Sequence, residues 1–209
     1  MNPEALRGLY VIVDNTPAPD RSHEEIGRAA LQGGARVLQL RAKTMGSGDY
    51  LRVARALRAL TAAWGALLIV NDRVDVAALV GADGVHVGQD DLPPAAVRAI
   101  LGPGRLVGLS THSLEQAEAA QAGGVVDYVG FGPMFATQTK VSGRAPRGPE
   151  ALRAVRERVR LPVVAIGGIT QDNVGEVVAA GADAVAVIAA VAGAPDMTAA
   201  ARALCAAFR

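Results

Sequence analysis

Asp127–Lys140 reads DYVGFGPMFATQTK, an apolar run that breaks on glycine and proline and then releases two threonines and a lysine. Glycines let backbone N–H groups approach an anion, hydroxyls add donors, and a lysine supplies a point charge. A strand that empties into such a loop is the phosphate-handling edge of an α/β protein rather than a packing element. A plain solvent loop would use the same residue types. Function is favoured because six other strand ends in the chain also carry polar clusters.

Outward from Tyr128, apolar runs of strand length recur at Leu9–Val13, Arg36–Leu40, Ala66–Val70, Gly84–Val87, Leu106–Leu109, Tyr128–Gly130, Val163–Ile166 and Ala184–Ile188. Helical periodicity fills the intervals, as at Tyr50–Trp64, Pro94–Leu101, Leu114–Ala122, Pro149–Val159 and Asp172–Ala180. Glycine stops such as Gly33-Gly34, Gly81, Gly123-Gly124 and Gly181 precede the next strand, and Thr170 is the expected N-cap of its helix. Nearly continuous apolar strands have both faces covered, and strict β–α alternation requires parallel strands joined by right-handed crossovers. Eight such units in 209 residues predict a (β/α)₈ TIM barrel in one domain, residues 1–209. The rival, a doubly wound open sheet, lacks its G-x-G-x-x-G after the first strand, where Val13-Asp14-Asn15-Thr16-Pro17 forms a plain loop.

Bulk composition removes other functions. Lys and Arg total 21 against 20 Asp and Glu, and aromatics are 3%, so neither a field nor stacking platforms for nucleic acid are expected. Cys205 stands alone in an alanine-rich tail, so it makes no intrachain disulfide and is expected to be a buried, inert thiol. The longest apolar run, Ala184–Ala194, is well short of the roughly 20 residues that span a membrane. The opening MNPEALRG has no basic segment followed by an apolar one. A soluble, cytoplasmic protein with no membrane partner is expected.

In a barrel the loops after the strands form the catalytic face. Those positions hold Gln39-Leu40-Arg41-Ala42-Lys43, Asn71-Asp72-Arg73, His86 to Asp91, Ser110-Thr111-His112, Thr137 to Lys140 and Gly167-Gly168. The opposite strand ends carry mostly Gly, Ala and Pro. Gln39, Arg41 and Lys43 alternate along extended chain and share one face, whereas Leu38 and Leu40 face the helices. Two cations there call for an anion, or for the Asp of a neighbouring strand; bidentate Arg chemistry favours the anion.

Asp72 and Asp91 end adjacent strands and together either bind a hard divalent ion or share a proton; beside the basic residues the metal leads, against the alternatives of a helix cap or, for Asp72, a pair with Arg73. Gly167-Gly168 and Ile188-Ala189 occupy the phosphate-cup positions of the fold. His86 is expected as a hydrogen-bonded barrel histidine and His23 as a solvated helix start. No acid partner makes Ser110 a nucleophile beside His112.

In this order the motifs QLRAK (Gln39–Lys43), NDR (Asn71–Arg73), DGVHVGQDD (Asp83–Asp91), GLSTH (Gly108–His112), the Asp127–Lys140 segment and AIGGI (Ala165–Ile169) resemble the thiamine-phosphate synthase family from Leu9 to about Ala190. The resemblance implies a transferase that joins a pyrimidine methyl diphosphate to a thiazole phosphate (or its carboxylate form), giving thiamine phosphate and pyrophosphate. It implies that Gln39, Leu40, Arg41, Ala42, Lys43, Asn71, Ser110 and Lys140 hold the pyrimidine diphosphate, with Arg41, Lys43, Lys140 and Ser110 as the catalytic set. Asp72 and Asp91 would ligate Mg²⁺, and Thr137, Thr139, Gly168, Ile188 and Ala189 would hold the thiazole phosphate. Ala189 departs from the serine usual there, which removes a hydroxyl but leaves the backbone N–H. Related thiazole tautomerases tend to lack the diphosphate and Mg²⁺ residues; His112 keeps that alternative open. A non-catalytic thiazole-phosphate-binding protein is a second alternative and a phosphosugar isomerase a third. A homodimer is left open.

Overall fold

The computed structural model describes residues 3–137 and 145–208. Thr139 and Lys140 therefore lie outside the described residues. Eight parallel strands close into a barrel in sequence order: β1 Gly8–Val13, β2 Val37–Leu40, β3 Leu67–Asn71, β4 Gly84–Val87, β5 Leu106–Thr111, β6 Tyr128–Phe131, β7 Val163–Ile166 and β8 Ala184–Val187. Helices alternate with them: α1 His23–Gln32, α2 Ser47–Trp64, α3 Val74–Val80, α4 Pro94–Leu101, α5 Leu114–Ala122, α6 Gly148–Arg158, α7 Val174–Ala179, α8 Ala189–Ala192 and α9 Met197–Ala206. The (β/α)₈ architecture expected from the sequence is the architecture of the chain.

The period of two sorts each strand. Leu9, Val11 and Val13 of β1 pack outward with Leu38, Leu40, Leu68 and Val70 against Ile26, Val53 and Leu57 of the helices. Tyr10 and Ile12 turn inward with Val37, Ile69, Leu106, Tyr128, Val164 and Ala184, and Leu6 joins them from the 3₁₀ turn Pro3–Leu6. Two cores therefore share one sheet, a barrel interior and a larger shell beneath the helices.

Three aspartates at strand entrances repeat one device on the face opposite the site. Asp83, Asp127 and Asp183 accept the backbone N–H of Leu68, Val107 and Val163 at 2.8, 2.7 and 2.8 Å. Each also pairs with an arginine, Arg58, Arg98 and Arg156 respectively. Each device ties a strand entrance to its neighbouring strand and to a helix.

Three local expectations are corrected. His23 is buried, 5% exposed, because the first residue of α1 turns its ring beneath the β1–α1 loop rather than toward solvent. Thr170 does not cap α7: the Asn173 carboxamide oxygen accepts the Thr170 N–H at 2.8 Å, which delays the helix to Val174. Cys205 is half-buried on α9 rather than sealed in the core.

Candidate active site

The C-terminal ends of the strands enclose a cavity of about 320 Å³ lined by Gln39, Arg41, Asn71, His86, Ser110, His112, Thr137, Gly168, Ile188 and Ala189. The inward positions of β2 to β5 supply Gln39, Asn71, His86 and Ser110, as the strand period requires. Leu40 is absent from that lining. Its side chain lies in the outer core, and its carbonyl oxygen accepts the Tyr50 hydroxyl at 3.0 Å. A second cavity of about 300 Å³ lies on the other side of Arg41, lined by Asp14, Thr16, His23, Ala42 and Lys43 among others.

Both strand-two cations have carboxylate partners. Arg41 Nη1 meets Asp14 Oδ2, and the two side chains are 16% and 4% exposed. Burial works to raise the Asp14 carboxyl, but hydrogen bonds from the Thr16 hydroxyl and amide, together with Arg41, hold it below the ordinary carboxylate range. Lys43 Nζ lies 3.2 Å from Asp72 Oδ2. In the sequence Asp14 belongs to a plain loop, although its place directly after β1 is the signal that marks the other site residues.

Asp72 has φ +59°, the left-handed region, and is the one non-glycine residue there among the described residues. Its N–H donates to the His86 carbonyl at 3.0 Å, which fixes the end of β3 against β4. Neither alternative role for it is found: Arg73 pairs with Asp75 at 2.7 Å, and α3 starts without a side-chain cap. The Asp72 carboxyl is pushed up by burial and by Asp91, whose carboxyl is within hydrogen-bonding reach; Lys43 opposes the shift. Asp91 Oδ2 also accepts the Gly88 N–H at 2.8 Å. Two juxtaposed carboxyls whose mutual repulsion opposes ionisation suit a small divalent cation, which would relieve that repulsion. Among the described residues no group of three or more His, Cys, Asp or Glu side chains converges, so water and substrate oxygens would have to complete its shell.

Ser110 Oγ is 2.9 Å from His86 Nε2, a partner that was not assigned from the sequence. His86 Nδ1 faces the Tyr128 hydroxyl at 3.1 Å, where a hydrolytic triad would place a carboxylate. His112 Nδ1 donates to the Gly132 carbonyl at 2.7 Å. Across the cavity, Gly167 and Gly168 have φ +99° and +66°. A Cβ on Gly168 would stand 2.5 Å from the Ala136 carbonyl oxygen, so only glycine lets this turn lie against the β6 loop.

A family model described as thiamine monophosphate synthase matches residues 9–191. The thiamine-phosphate synthase of Chloroflexus aurantiacus is 50% identical over 94% of this chain and 90% of that protein. That of Methanospirillum hungatei is 46% identical over 93% and 94%. The solved thiamine phosphate pyrophosphorylase of Pyrococcus furiosus superposes with a TM-score of 0.91 at 40% identity, covering 99% of this chain and 98% of that one. With that agreement along almost the whole barrel, the chain belongs to the thiamine monophosphate synthase family.

Proposed function

We propose that this protein is a thiamine-phosphate synthase in which pyrophosphate departs dissociatively from a pyrimidine methyl diphosphate and the ring nitrogen of a thiazole phosphate then captures the carbon. The observation that carries the proposal is the convergence of Lys43, Asp72 and Asp91 from three consecutive loops, next to a cavity that ends in a glycine turn. A thiazole tautomerase or a non-catalytic binding protein has no need of that cation–carboxylate cluster, and the synthase names of the relatives do not favour either.

Departure of pyrophosphate from a benzylic-type carbon on an electron-rich ring leaves negative charge on the leaving group and positive charge on the pyrimidine. Arg41, Lys43 and Lys140 answer the first. Gln39, Asn71 and Ser110 orient the pyrimidine diphosphate, and Thr137, Thr139, Gly168, Ile188 and Ala189 hold the second substrate by its phosphate so that its nitrogen faces the electron-poor carbon. Mg²⁺, held by Asp72 and Asp91, would offset further charge on the diphosphate oxygens when bound. No protein nucleophile is required, in keeping with the tyrosine in place of a carboxylate behind His86. A cytoplasmic location and a homodimer belong to the same proposal. Among the described residues no helix is long and apolar enough to cross a membrane.

The test is formation of thiamine phosphate from the two substrates with Mg²⁺ and with EDTA. Coupling that requires Mg²⁺ supports the proposal, and absence of coupling product from pure protein under both conditions refutes it.

A further inference from the structure

Along the floor of the cavity a hydrogen-bonded chain crosses the barrel through five strands. Gln39 Nε2 lies 2.7 Å from Tyr10 Oη, Tyr10 Oη 3.1 Å from Tyr128 Oη, Tyr128 Oη 3.1 Å from His86 Nδ1, and His86 Nε2 2.9 Å from Ser110 Oγ. The two tyrosines are 1% and 0% exposed, so a misplaced proton there would be buried without a partner. Space for the chain is built in. Gly108 sits between His86 and Tyr128 in the strand register, and a Cβ there would stand 2.2 Å from Tyr128 Cζ and 2.5 Å from His86 Nδ1. A Cβ on Gly130 would crowd His86 Cε1 at 3.0 Å.

Counting protons gives the chain a direction. Burial raises both tyrosine hydroxyls well above their ordinary range, so each keeps its single proton. The Gln39 amide nitrogen can only donate, so Tyr10 Oη accepts there, and its own buried proton is satisfied only when it is given to Tyr128. Tyr128 then spends its proton on His86 Nδ1. The imidazole carries its proton on Nε2 and gives it to Ser110 Oγ, and the serine proton is left for the cavity.

The geometry points to Tyr10, Tyr128 and His86 as positioning residues: a one-way relay that fixes Ser110 as a hydrogen-bond donor and Gln39 Oε1 as an acceptor, and so selects an aromatic substrate ring with an acceptor nitrogen opposite the serine. The choice of substrate rests on the function proposed above; the sense of the relay does not. In the opposite sense Gln39 would turn its carbonyl to Tyr10, every hydroxyl would reverse, and His86 would be protonated on Nδ1.

Long-range ¹H–¹⁵N NMR of the ligand-free full chain distinguishes the two senses, with the His86 signals assigned by their loss in His86→Gln. The relay predicts a protonated Nε2 and a bare Nδ1 in the wild type, and loss of that preference in Tyr128→Phe. A proton on Nδ1, or an unchanged tautomer in Tyr128→Phe, overturns it. In steady-state coupling, Tyr10→Phe and Tyr128→Phe should each raise the KM for pyrimidine diphosphate about tenfold and leave the KM for thiazole phosphate unchanged. Equal shifts in both KM values would also overturn the relay, as the mark of a merely structural role. If wild-type protein shows no coupling, the proposed function falls, and the tautomer alone still decides the relay. If Tyr128→Phe does not fold, the wild-type tautomer and Tyr10→Phe decide it.

Discussion

Lys43 Nζ stands 3.2 Å from Asp72 Oδ2, so a cation after β2 and a carboxylate after β3 hold one another beside the cavity. The two side chains are 53% and 24% exposed, and an ion pair so open to water is worth less than about 1 kcal/mol. Releasing Lys43 to an anion therefore costs little. Arg41 and Asp14, by contrast, are locked together at low exposure.

That difference predicts opposite effects of removing each cation. Lys43→Ala should leave the unfolding free energy within about 0.5 kcal/mol of wild type and lower coupling activity. Arg41→Ala should cost at least about 2 kcal/mol, because Asp14 is left buried without its partner. Urea melts of both variants check this, and equal losses would contradict it.

Asp14 gives a pH dependence of known sign. Its folded pKa lies below the unfolded value, so it stabilises the fold above the ordinary carboxylate range, and that contribution is lost as pH falls through the lowered folded pKa. Asp14→Asn should flatten stability against pH below about pH 4. Thermal melts between pH 2 and pH 6 (about the carboxylate window) measure it; an unchanged slope would place the acid sensitivity elsewhere.

For Asp72 the left-handed backbone separates variants by fold as well as activity. Asn adopts φ near +59° readily and removes the repulsion with Asp91, so Asp72→Asn should melt no lower than wild type in EDTA. Asp72→Ala should lose about 1 kcal/mol more, because alanine resists that conformation. Both should lose most of their coupling rate. A normal rate at limiting Mg²⁺ in Asp72→Asn would remove the metal assignment.

Gly168→Ala tests the turn across the cavity. The added methyl would meet the Ala136 carbonyl oxygen at 2.5 Å and Phe135 Cβ at 2.8 Å, so the loop must shift. The KM for thiazole phosphate should rise by roughly fivefold to 150-fold, the equivalent of about the 1–3 kcal/mol of a strained backbone position. Thr137→Ala should act on the same substrate and Lys140→Ala on the diphosphate. If all three acted on one substrate alone, the division of the site would be wrong.

Much of this was legible in the chain. The strand period placed Gln39 and Arg41 inward and Leu40 outward, and glycine stops marked where helices end, so the barrel followed from local pattern. Asp72 and Asp91 stand out in the sequence because they are polar residues at the ends of apolar runs. The partners were less legible. Arg41 with Asp14 needs the pairing of β1 with β2, and the relay crosses the interior from Tyr10 on β1 to Tyr128 on β6, a contact that only barrel closure brings together. Tyr10 and Tyr128 looked like apolar strand residues because their hydroxyls find partners only across the interior. His23 was misread because its neighbours Arg21, Ser22 and Glu24 are polar; Ser22 and Glu25 form the capping box, and the ring turns inward.

The most direct measurement is thiamine phosphate formed by pure protein from pyrimidine diphosphate and thiazole phosphate, in Mg²⁺ and in EDTA, for wild type and Asp91→Asn. The account predicts rapid coupling by wild type in Mg²⁺, with loss of several kcal/mol of leaving-group stabilisation, on the order of 10³-fold in rate, in EDTA or in Asp91→Asn. Equal rates under all these conditions, or no product from wild type in Mg²⁺, would contradict it.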